Sequence, residues 1–74
     1  MPHTFEDLVT LERTAVEAHA AITTAADPDV ARQTAVDASA AFQAAVTAYA
    51  AAEGEPRVKV EMAVKKAVRH EAAG

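Results

Sequence analysis

Cysteine and tryptophan are absent from this chain of 74 residues, which has two glycines, three prolines, two phenylalanines and one tyrosine. Without cysteine no disulfide can brace a chain whose size already makes a single hydrophobic core marginal. Gly54 and Gly74 stand far apart, so no glycine-rich loop can bring backbone amides around a phosphate. Ser39 is the sole serine and lacks the glycine elbow of a nucleophilic serine. The start, MPHTFEDLV, has neither a basic region nor an apolar run, which predicts no secretory leader. A reducing, cytoplasmic setting is expected.

What the chain has in abundance is alanine. Apolar residues make up 51% of it, but 21 are alanines, and 17 are larger, nine of those being valine. The core is therefore poor in bulk. The net charge of −4 is unevenly spread: residues 1–53 carry eight acids against Arg13 and Arg32, whereas residues 54–74 carry five bases against Glu55, Glu61 and Glu71. An acidic body is followed by a basic tail.

Four of the five glycines and prolines fall where helix ends need them, and the spacing of apolar residues predicts three helices in a single all-α domain, over about 5–25, 28–53 and 56–71. Thr4 with Asp7 has the form of a capping box, and acids in a first turn suit the positive end of a helix. Leu8, Leu11, Ala15, Ala18, Ile22 and Ala25 then follow a 3,4 spacing, one stripe widened by Phe5, Val9 and Val16. Asp27-Pro28 punctuates the chain, aspartate being a strong N-cap and proline losing no hydrogen bond at the first helical position. From there Ala31, Ala35, Ala38, Phe42, Ala45, Tyr49 and Ala52 form a heptad-like seam. Gly54 suits a helix end, and Pro56 the first position of the next helix. The third stripe is Val60, Ala63, Val64, Ala67 and Val68. Residues 57–62 alternate with period two, but a lone strand would have no partner, so helix is expected there as well. The first two helices should pair as an antiparallel hairpin in a small three-helix bundle.

The middle helix contains ASAAFQAAVTAYAAA, Ala38 to Ala52, without a single charge. It is too short and too weakly apolar to span a bilayer core of roughly 30 Å. Ala40, Ala41, Ala44, Val46, Thr47 and Ala48 occupy faces away from the seam. At ~1.5 Å per residue this helix runs about 39 Å against about 24 Å for the third, which cannot cover it. Ala40, Ala44, Ala48 and Ala51 are therefore the candidate self-association face, and a homo-oligomer, a dimer foremost, or a complex with another protein is expected. A second copy would compensate a thin core.

The titratable side chains do not assemble a reaction centre. His3, His19 and His70 have no partner at metal-ligand spacing, and His70-Glu71 lacks the second histidine of a zinc-protease helix. Glu12 and His19 are the only polar pair on the first apolar arc, and read as a rim contact. No catalytic, metal or cofactor-binding residue is implied, and no enzyme. The stretch VKVEMAVKKAVRH offers the other partner surface, Lys59, Met62, Lys65, Lys66 and Arg69, with Val58 beside Met62. Nucleic acid is the less favoured occupant, because the helix has no aromatic residue to stack on bases and the pI is near 5.2.

Phe5-Glu6-Asp7-Leu8-Val9, Ala44 to Ala48, Val60-Glu61 and Val64 to His70 resemble segments of a group of short actinobacterial proteins without assigned activity. The resemblance touches most of the chain and implies a small helical protein. It supplies no catalytic or binding residue.

Overall fold

A computed structural model of the protein describes residues 3–73. Met1 and Pro2, where the reading for a leader began, and Gly74 lie outside the described residues. Three helices appear, α1 (Phe5–Ala21), α2 (Pro28–Glu53) and α3 (Arg57–Ala73), with a 3₁₀ turn at Ile22–Thr24 after the first. Each packs against the other two, α1 and α2 most extensively.

The caps explain the boundaries. Asp7 N donates to Thr4 Oγ1 at 3.1 Å while Thr4 N donates to the Asp7 carboxylate at 2.9 Å, a reciprocal capping box. Asp27 Oδ1 accepts from the amides of Asp29 and Val30, and Pro28 follows at the first helical position. Gly54 closes α2 in the left-handed region at φ 66°, where a side chain would strain. Glu55 N donates back to Ala50 O and Gly54 N to Ala51 O, a Schellman closure that satisfies two terminal carbonyls.

Three boundaries differ from expectation, one of them being the end of α3, at Ala73 instead of 71. The α-helix stops at Ala21 instead of Ala25, because the chain tightens into the 3₁₀ turn and the Thr23 and Thr24 hydroxyls donate to the carbonyls of Ala20 and Ala21. Pro56 sits one place earlier than the first helical position: its carbonyl accepts from Val60 N, which makes Arg57 the first helical residue. The alternating stretch 57–62 is helical.

The main core gathers Leu8 and Val9 of α1, Phe42, Ala45, Val46 and Ala50 of α2, and Val60 and Val64 of α3, with Phe5, Leu11, Tyr49, Ala67 and Val68 packed at its margin. Val46 corrects the sequence reading. Assigned to an outer face, it is fully buried, because α3 covers the flank of α2 beside the seam and draws in Val46 and Ala50. Ala52 and Ala63, assigned to the inner stripes, are exposed. Toward the α1–α2 turn the packing is carried by alanines, with Ala15 and Ala35 buried and Ala18, Ala31 and Ala38 partly so. The molecule extends 42 Å along its longest axis, about the length of α2 alone.

Candidate functional site

Polar side chains at the helix junctions decide which charges are left for a partner. Glu12 is buried at 8% exposure on α1, and Lys65 of α3 donates to its Oε2 at 3.3 Å. The same ammonium lies 3.9 Å from Glu61 and 5.6 Å above the centre of the Phe42 ring. A buried carboxylate without a cation would be costly, so Lys65 is occupied in holding α3 to α1. Its charge is thereby engaged within the bundle, while its side chain, 42% accessible, still borders the basic surface to which its sequence spacing assigned it.

Arg57 is also engaged. Its guanidinium donates to the Gln43 carbonyl at 3.1 Å and to the Thr47 hydroxyl, and lies 3.7 Å from Glu61. Lys59 pairs with Glu55 at 3.2 Å. At the other end of α3, Glu71 accepts both Nη2 and Nε of Arg13, at 2.6 Å for the shortest contact. This fork holds the Arg13 guanidinium charge even more firmly than usual, through the hydrogen bond first and the carboxylate charge second. Lys66 and Arg69 remain, both exposed, with no ion-pair or hydrogen-bond partner among the described residues. Between them and Met62 lies a shallow depression of about 280 Å³, floored by Ala63 and edged by Lys65. Met62 and Val58 are each 66% exposed.

On α2 the four alanines of the candidate self-association face, Ala40, Ala44, Ala48 and Ala51, are all exposed and on the side away from the core. Val36 and Val30, nearer the start of the helix, are 53% and 62% exposed. Asp37 is the only charged residue from Gln33 to Ala52, and its carboxylate accepts from Gln33 Nε2 at 2.9 Å.

The Glu12 and His19 pair does not form. Glu12 turns to α3, and His19 Nε2 lies 3.0 Å from Ser39 Oγ, an exposed link between α1 and α2. The lone serine is thereby placed against a histidine, but among the described residues no acid orients the ring, so the arrangement lacks the third member of a nucleophilic triad. No group of three or more metal-ligating side chains occurs among the described residues. No helix among them is long and apolar enough to cross a membrane. An open cleft of about 510 Å³ between α1 and α3 is lined by Arg13, Val16, Glu17, Val68 and Glu71, and its arginine is already committed to Glu71. Comparison with protein-family models, curated proteins and solved structures finds no match to this chain.

Proposed function

We propose that this protein is a non-catalytic module that works by associating with other protein chains, a second copy of itself foremost. The observation that carries this reading is the outward face of α2: Ala40, Ala44, Ala48 and Ala51 are exposed in one uncharged run, with Asp37 and Glu53 beyond its ends. Small residues let a second helix approach closely, so that dispersion contacts between backbones replace bulky side chains. The thin core supports it too, since small domains without disulfide or metal commonly gain stability by association.

Sedimentation from low to high micromolar concentration tests the proposal. A mass above the 7.7 kDa monomer is expected. Ala44→Glu should abolish it, because a paired helix rejects a buried charge and a solvated one does not. A natural chain that stays monomeric at high micromolar concentration overturns the reading.

The second reading, a nucleic-acid-binding accessory protein, draws on Lys66 and Arg69. It is the weaker one because Arg57, Lys59 and Lys65 already face carboxylates. Too few cations remain to displace several counterions from a phosphate backbone. Salt-sensitive micromolar binding of DNA or RNA, lost when Lys59, Lys66 and Arg69 are together changed to glutamine, would reinstate it.

A further inference from the structure

The outward face of α3 carries features that the bundle does not use. Burial of Val60 and Val64 accounts for the docking of the helix, yet Val58 and Met62 stand 66% exposed on its far side, followed by Lys66 and Arg69 without carboxylate partners among the described residues. Solvated helix faces need no such apolar pair. An exposed apolar patch rimmed by charge marks a contact surface, and its charge says what sign of partner it fits.

We infer that this face docks, antiparallel, on the outward face of α2 in a second copy, with Met62 against Ala44 and Arg69 against Asp37. The inference rests on the self-association reading above and names the surface that covers α2. Register is the first argument. Val58, Met62 and Arg69 are separated by four and seven residues, and Ala48, Ala44 and Asp37, read in the opposite direction, by the same four and seven. Seven residues rise ~10.5 Å on either helix, and such a step turns the helix by only about 20°, so each set stays on one side. Placing Met62 over Ala44 therefore puts Val58 over Ala48 and Arg69 opposite Asp37. Lys66 falls opposite Ala40, and its flexible stem reaches toward the same carboxylate.

Charge is the second argument. Asp37 is the one acid on that length of α2 and has a neutral hydrogen-bond partner, Gln33. Pairing α2 with another α2 along Ala40 to Ala51 brings no cation to it, since Arg32, the one base on α2, lies outside that face and already pairs with Asp29. Pairing α2 with α3 brings two, and sets valine and methionine against alanine, large against small. A phosphate backbone or an anionic membrane would also take the cations, but neither needs the matching spacing. In a three-helix bundle the outward sides of α2 and α3 diverge, so one pair of molecules satisfies the contact once, leaving a free α2 face at one end and a free α3 face at the other. Such a head-to-tail contact extends into chains or closes into rings.

The test is a charge swap read by sedimentation. Arg69→Asp and Asp37→Arg lie at exposed positions, so circular dichroism should find both variants helical. Each alone should weaken association by about tenfold or more, because like charges then meet across the contact. Mixing the two variants in equal amounts should restore association, as should the double variant D37R/R69D, and the natural chain should lose mass with added salt. If Arg69→Asp leaves the mass of the natural assembly unchanged while Ala44→Glu dissociates it, the α2 face pairs with itself: this inference falls and the self-association reading stands. A natural chain that is monomeric throughout removes both.

Discussion

Lys65 and Glu12 are 53 residues apart in the chain and 3.3 Å apart in the fold, with the lysine ammonium also lying over the ring of Phe42. This contact fastens the third helix to the first at the level of the largest core side chain. Its two halves are unequally exposed: the Glu12 side chain is 10% accessible, that of Lys65 42%. Losing either partner should therefore have different effects.

Lys65→Ala strands a buried carboxylate, and should cost about 1 to 3 kcal/mol. Glu12→Gln keeps the volume and leaves the lysine to Glu61 and to water, and should cost less. Thermal melting separates the two at about 4 to 8 °C per kcal/mol for a domain of this size. Equal shifts would mean that Glu12 is solvated in solution.

Phe42 is 1% exposed and sits where all three helices meet. Phe42→Ala should cost about 3 to 5 kcal/mol, a large fraction of what so small a domain has. Denaturant titration should show either a much lower midpoint or no folded baseline. A variant that melts like the natural chain would place Phe42 outside the core.

Asp7 should titrate below the usual carboxylate range, chiefly because the Thr4 amide donates to its ionised form, with the Thr4 hydroxyl and the charge of His3 acting in the same direction against a partial opposing desolvation. A carboxyl depressed in the folded state stabilises fully above its unfolded value of about 3.9, and that stability is lost as pH falls through the lower folded value. Asp7→Asn should therefore melt earlier than the natural chain at neutral pH, and the difference should close as pH falls through the folded value. A carboxyl resonance of Asp7 that titrates at the ordinary position would remove the capping contribution.

The features legible in the sequence are those whose chemistry is local. Asp27-Pro28, Gly54 and the Thr4–Asp7 box announce helix ends within four residues, and the structure places caps at all three. Phe42 and Leu8 were readable as core because period and size agree. Val46 was not, since which flank of α2 turns inward depends on where α3 lands, and α3 lands by packing. The partners of Glu12 and Arg57 were hidden for the same reason: Lys65 and Gln43 reach them across helices. On the candidate surfaces, sequence spacing gathered Lys59, Met62, Lys65, Lys66 and Arg69 on one side of a helix. The Glu55–Lys59 pair, four residues apart, follows from such spacing, but spacing could not show that Glu12 engages Lys65. Exposed alanine leaves no signal of its own, being equally a good helix former in water.

The two turns, residues 25–27 and 54–56, set the tempo of the molecule. Helices joined so closely find their neighbours with little loop entropy to overcome, and chains dominated by such near contacts fold in microseconds to milliseconds. The α1–α2 hairpin, with the most extensive packing, should close first. The third helix, fixed by Val60, Val64 and its ion pairs, should then be the last to arrive and the first to leave, so its amides should exchange with solvent before those around Phe42.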